Sequence, residues 1–469
     1  MKARTSLSLR YLPFFFALCF FTLDKLTAQS VHEGYIDGRI FVKIEDHVPF
    51  KGEEGAHYSA ENVDPKALDF LDGVRSKFQV DSVSRPFHAL QGEAPNLKRT
   101  YRIRFDAIDK VDKLVRALEG RSSVDFAEKE PLKRLSYNPN DPYYTNNDLW
   151  FLPHINAPGA WDISFGTSSV TVAITDSEID TAHDDLNGVL WQNPGETPNN
   201  GVDDDGNGYT DDYRGYDVGE GDPDPTYSGS AQKHGTHVAG LAGGHTDNST
   251  GIASIGFGVS LMAVKISDGS GALTAGYDGI TYAADQGAEV INMSWGSSTS
   301  SSTGSNAVSY AKNQGSYLVA AAGNDGTNSK QYPAAYSEVL AVGATNKSDE
   351  KASFSNYGSW VDIAAPGVDM NSTWHPNTYY NTQGTSMSSP VTAGLVGLML
   401  SHNPSMSHSK ITNCLKSTAV SIQGSYSGEL GAGRIDAKAA MNCVDATVSS
   451  APNDAGINEI FTPSGTICD

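Results

Sequence analysis

Three strings far apart in the chain hold a carboxylate, an imidazole and a hydroxyl: TVAITDSEID with Asp176, HGTHVAG beginning at His234, and GTSMSSP around Ser386. Together they supply an orienting group, a base and a nucleophile, the complement for acyl transfer through a covalent intermediate. Ser386 follows Gly-Thr and opens a helix-forming run. Free backbone N–H groups and the helix dipole would there face a developing oxyanion. HGTH also invites a metal reading, because His234 and His237 share a helix face. A zinc protease of that kind carries HExxH, and its Glu is missing.

Parallel strands must position these groups. SVTVAIT, SLMAVKI, AEVINMS, SYLVAAA and VLAVGAT are short, near-continuous apolar runs, as expected for strands buried on both faces. Helical stretches alternate with them, including 272–286 and 386–402. Asp176 and Asn324 each follow such a run, where open parallel sheets place their ligand sites. Residues 29–137 read differently. GRIFVKIED and TYRIRFD alternate as strands do, IDKVDKLVRALEGR has apolar residues at helical spacing, and VDFAEKE reads as a further strand.

From Asn138 to Asp445 the chain resembles the subtilisin-like serine protease family, whose motifs occur in this order. The resemblance implies an α/β, three-layer fold with a mostly parallel central sheet, preceded by a small α+β, ferredoxin-like propeptide. It casts Ser386 as nucleophile, His234 as general base and then acid, and Asp176 as the group that fixes the imidazole. Asn324, in VAAAGNDG, matches the family's second oxyanion donor. Gly269-Ser270-Gly271 and Ser294-Trp295-Gly296 match the segments that flank an extended peptide substrate and pair with it as strands do. Asp325 either favours basic residues before the scissile bond or points into solvent. The chain departs from the family at Met387-Ser388-Ser389-Pro390, where Ala is usual after Met, and at Asp176-Ser177-Glu178, where Gly is usual third. If that third position needs positive φ, Glu costs about 1 kcal/mol. Residues 29–137 look like the family's inhibitory propeptide; an independent binding domain is the alternative.

The run GVDDDGNGYTDD places Asp203, Asp205, Asn207 and Asp211 at the alternate spacing of an EF-hand loop, with Gly208 at a turn. Arg214 stands where the closing Glu belongs, so the expectation is a calcium loop without flanking helices, against a merely solvated acidic loop. A second calcium site is implied by the resemblance, at Asp141, Asp185 and the turn Asp247-Asn248.

The 469 residues allow two or three domains, and a net charge of −22 argues against a nucleic-acid partner. Lys2, Arg4 and Arg10 precede an apolar run from Tyr11 to Leu23, which reads as a secretory signal peptide cut after Ala28. That run is too short to span a bilayer, and no later stretch is apolar enough. Of four Cys, Cys19 leaves with the signal, Cys414 and Cys443 are expected to pair, and Cys468 is left over. The domains expected are therefore signal 1–28, propeptide 29–137, catalytic domain 138–447, and a linker or truncated module 448–469. The function expected is a secreted, calcium-stabilised, monomeric serine endopeptidase acting on proteins or peptides, with its own propeptide as inhibitor. Self-cleavage is expected between Leu135 and Asn138. A catalytically idle calcium-dependent scaffold is the rival; a strict dibasic convertase lacks its downstream β-sandwich.

Overall fold

A computed structural model of the chain describes residues 31–32, 35–48, 68–87, 94–131, 137–226, 233–422, 424, 426 and 429–449. The signal segment 1–28, Leu135 and Ser136 of the expected cut, and the tail from 450 with Cys468 lie outside them. Two compact units emerge, Met1–Lys133 and Arg134–Asp469.

In the N-terminal unit β1 (Val31–His32), β2 (Tyr35–Ile44), β3 (Val80–Ser84), β4 (Thr100–Phe105) and β5 (Val124–Pro131) form one antiparallel sheet. Its path is β1-β2-β4-β3, with β5 on β2. Alternation puts Ile40, Val42 and Ile44 of β2 into a core that Leu114 and Leu118 of helix Val111–Glu119 complete. The sequence patterns located β2, β4, β5 and this helix; β1 and β3 are additional.

The C-terminal unit is built on a seven-stranded sheet. Its strands are β6 (Thr171–Asp176), β7 (Gly215–Asp217), β8 (Ser260–Lys265), β9 (Val290–Met293), β10 (Tyr317–Ala321), β11 (Val339–Thr345) and β12 (Ile363–Pro366). Their order is β12-β11-β10-β9-β6-β8-β7, and every pairing is parallel. All five apolar runs read from the sequence are strands. The chain leaves β6 for β7 and β8 on one side and later fills the other from β9 onward. β6 therefore lies at the topological switch point, where such sheets bind ligands beyond their carboxyl ends.

Both faces of the sheet are covered. Val172 and Ile174 of β6 enter one core, shared with helices His234–Gly243 and Thr385–His402; Ala173 enters the other, shared with helices Gly276–Asp285 and Ser302–Gln314. Helix Thr385–His402 is apolar all round because it runs through the core: Val391, Leu395 and Leu398 are fully buried. Truncating one of these to Ala costs about 2–5 kcal/mol. The helix expected over 272–286 starts only at Gly276, because the residues before it return from a tight turn. Cys414 and Cys443 form the expected disulfide, tying helix His408–Ser417 to helix Ala437–Ser449. A separate hairpin, β13 (Met370–Trp374) and β14 (Thr378–Thr382), leads into helix Thr385–His402.

Candidate active site

Asp176 ends β6 and is fully buried. Its Oδ1 accepts from the Ser177 N–H and from His234 Nδ1, each at 2.7 Å. A carboxylate only accepts, so Nδ1 carries the proton and Nε2 is left as the basic nitrogen. His234 opens its helix with the side chain 34% exposed. Burial disfavours the imidazolium, but the charge and hydrogen bond of Asp176 outweigh it and hold the His234 pKa above its ordinary value.

Glu178 is buried and does not adopt a left-handed conformation. The cost anticipated for a side chain at this usually Gly position therefore does not arise. His237 is no metal partner for His234. Its Nε2 donates to the Met370 and Tyr380 carbonyls at 3.1 Å each, and burial, aided by His234, pushes its pKa down to about 4.

Ser386 is the second residue of its helix, so its N–H has no intrahelical acceptor. Its Oγ donates to the Ser294 carbonyl at 3.2 Å, and Ser294 Oγ donates back to the Ser386 carbonyl at 2.9 Å. Pro390 accounts for the second bond: with no N–H four residues on, it leaves the Ser386 carbonyl free. Among the described residues Ser386 Oγ has no bond to His234 in this resting arrangement.

Asn324 Oδ1 accepts from both the N–H and the Oγ1 of Thr385, at 2.9 Å each. The oxygen is thereby fixed and the amide's two N–H donors face outward. Buried Asn356 steadies this loop, donating to the Ala322 carbonyl and accepting from the Asp325 and Thr327 N–H groups. Gly323 lies against it at φ 102°; a Cβ there would come 2.4 Å from Asn356 Nδ2. Only glycine suits both demands.

The two expected substrate segments differ from each other. Ser294 is buried against Ser386, while the Trp295 indole donates to the Thr175 carbonyl at 3.0 Å and Gly296 is exposed. Gly269-Ser270-Gly271 is not an extended strand but a turn, because Asp268 Oδ1 accepts from Ser270 and Ala272 N–H groups. Asp325 is exposed and accepts from the Gln331 side chain at 3.1 Å.

Carboxylates cluster in two places. Asp203, Asp205 and Glu196 bring one oxygen each to within 4.8 Å of one another, a group that could hold a metal ion. Glu196 Oε2 is buried without a partner among the described residues. Asn207 joins the group through Asp205, but Asp211 turns away to cap the Asn200 and Gly201 N–H groups. In the second place Asp141 accepts from the Asp247 and Asn248 N–H groups, and Asp185 from the Asn248 side chain. Burial, first of all, raises both pKa values.

Glu196, Asn356 and the Ser294 hydroxyl escaped sequence reading. Glu196 stands outside the acidic run, and nothing local marks Asn356. Pro390 was the available signal for Ser294, since a proline inside a helix frees one predictable carbonyl.

Residues 167–457 match the peptidase S8, or subtilase, family. The chain is 35% identical over 405 residues to a thermophilic serine proteinase of Bacillus sp. strain AK1, covering 86% of this chain and 87% of the relative. It is 42% identical to thermitase of Thermoactinomyces vulgaris, over 61% of this chain and 94% of thermitase. A solved protease from Pseudoalteromonas arctica superposes with a TM-score of 0.55 at 32% identity, over 66% of this chain and all of that one.

Proposed function

The chain belongs to the subtilase family and is a serine-type endopeptidase, and on that footing we propose that Ser386, His234 and Asp176 carry out the hydrolysis. The observation that carries this reading is the 2.7 Å bond from His234 Nδ1 to buried Asp176, at the switch point of the sheet.

Ser386 Oγ first leaves the Ser294 carbonyl and turns toward His234. Nε2 takes its proton as Oγ bonds to the scissile carbonyl carbon, and the carbonyl oxygen becomes an oxyanion. The Ser386 N–H and the Asn324 amide donate to that oxygen. When the C–N bond breaks, His234 returns the proton to the leaving amine. Water then repeats the sequence on the acyl-enzyme, and Ser386 is regenerated.

Calcium suits the carboxylates. Glu196, Asp203 and Asp205, with the buried unpartnered Oε2 of Glu196, form a set of hard oxygen donors, and Asp141 and Asp185 with Asn248 form a second. A bound cation would neutralise them and stabilise the folded state. We also read residues 29–137 as an inhibitory propeptide released by Ser386, and the enzyme as secreted and monomeric. Among the described residues no helix is long and apolar enough to cross a membrane.

Ser386→Ala tests the assignment. Peptide hydrolysis should fall by at least about 10⁴-fold with the fold intact, and fluorophosphonate labelling should vanish. Undiminished activity in that variant, free of contaminating protease, rejects it.

A further inference from the structure

Hairpin β13–β14 runs directly into the segment bearing Ser386, yet no step above uses its side chains. Trp374 and Tyr380 lie diagonally across it, with ring centroids 4.8 Å apart and planes inclined by 32°. Tyr380 is 51% exposed. We propose that this aromatic pair grips the leaving half of the substrate, through an apolar or aromatic side chain roughly two to four residues beyond the scissile bond. The inference rests on the roles given to Ser386 and His234.

His234 hands its proton to the leaving amine, so the leaving half begins on the side of His234. His237, one turn along the same helix, donates to the Tyr380 carbonyl, and the Trp374 ring meets its imidazole nearly edge-on, 6.1 Å away at 80°. The hairpin is thus fastened to the helix that delivers the proton. Ser372 and Thr373 hydroxyls donate to the His237 and Thr236 carbonyls at 2.7 Å each. His375 bonds Asp180 at 2.8 Å and so pins the hairpin's far end. The aromatic pair therefore sits on a fixed platform and loses little freedom on gripping a ligand.

Reach and form agree. From Tyr380 to Gly384 an extended chain covers about 14 Å at most, the length of four substrate residues. Among the described residues β14 pairs only with β13, so its outer edge is open to an extended peptide. The occupant that is continuous with the site is the substrate's own leaving half.

Two sets of internally quenched peptides, identical up to the scissile bond, test this. One carries phenylalanine and the other glycine at the second, third or fourth residue after it. Wild type should favour phenylalanine at one of these positions by about five- to tenfold in kcat/KM, through KM. Tyr380→Ser should bring that ratio near one, while Tyr380→Phe keeps it. An unchanged ratio in Tyr380→Ser, or no preference in wild type, overturns the proposal. Fluorophosphonate labelling of the same preparations separates the readings. Active enzyme that is not labelled at Ser386 rejects the nucleophile, whereas labelled enzyme with an unchanged ratio rejects only the aromatic grip.

Discussion

Residues 29–133 hold 17 Lys and Arg against 19 Asp and Glu, whereas residues 134–469 hold 12 against 35. The difference extends to how each unit satisfies its carboxylates. In the N-terminal unit cations do it: Arg102 makes two bonds of 2.7 Å to Glu130, and Lys129 meets Asp112 at 2.9 Å. In the unit that bears the site some carboxylates also have cations, as Lys265 serves Asp217 and Glu220 and Arg434 serves Asp349, but others are held by N–H groups. Asp141 accepts from two backbone N–H groups, and Asp203 from those of Gly206, Asn207 and Gly208. Both arrangements favour the ionised carboxylate, but a cationic partner cancels its charge locally whereas N–H dipoles leave it uncompensated. The acidity of residues 134–469 is thus in part a reserve of uncompensated negative charge, rather than only an aid to solubility.

The sharpest break in this comparison lies at the junction of the two units. If Ser386 cuts there, the Ser386→Ala precursor should stay at full length after signal removal while wild type yields two fragments, as a gel would report. N-terminal sequencing locates the cut. A cut after Leu135, Ser136 or Tyr137 speaks against an Asp325-driven basic preference, and a cut after Arg134 speaks for one. Equal processing of the variant in a protease-deficient host means that another enzyme separates the units.

Next in size is Asn324→Ala, which should lower kcat by about 10²–10³-fold and leave KM nearly unchanged, since the donor acts on the oxyanion. A change confined to KM would recast Asn324 as a binding group.

The pH profile follows. The base must be neutral, and the His234 pKa lies above its ordinary 6.5, so kcat/KM should climb about tenfold per pH unit until past that value. Stability moves oppositely. A raised folded-state pKa contributes stability that is fully present below the unfolded value and lost as pH rises through the folded one. Activity should therefore rise through a window in which the thermal midpoint slips slightly. A limb centred below pH 6.5 would contradict the Asp176–His234 coupling.

The smallest effect separates the two kinds of carboxylate. Removing calcium with chelator should lower the thermal midpoint of the mature enzyme by several degrees, as expected for a ligand near a hundred times its Kd. Glu196→Gln should lose part of that sensitivity, whereas Glu130→Gln in the precursor should leave it intact. Equal responses would erase the distinction drawn between the units.

Much of this was legible because the signals are local. Five strands announced themselves as apolar runs, and three motifs located the chemical groups. β7 and β12 did not, being only Gly-Tyr-Asp and Ile-Ala-Ala-Pro, too short for any periodicity. Gly269–Gly271 forms a turn, and Asp268 before Gly-Ser-Gly is itself a signal for one. Glu196 joins Asp203 only because the intervening loop folds back, with Asp204 capping the Thr197 N–H. Trp374 and Tyr380 meet through hairpin register, which no single string encodes.

The reciprocal bonds between Ser386 and Ser294 have a kinetic consequence. Breaking one such bond adds only about 1 kcal/mol to the barrier of any step, too little to dominate turnover. What it changes is occupancy. A hydrogen bond worth about 1 kcal/mol leaves the attacking rotamer in roughly one molecule in six, and apparent affinity falls by that fraction. In the role proposed for it, Ser386 therefore idles when the cleft is empty, and a substrate that supplants the Ser294 carbonyl would arm it by mass action.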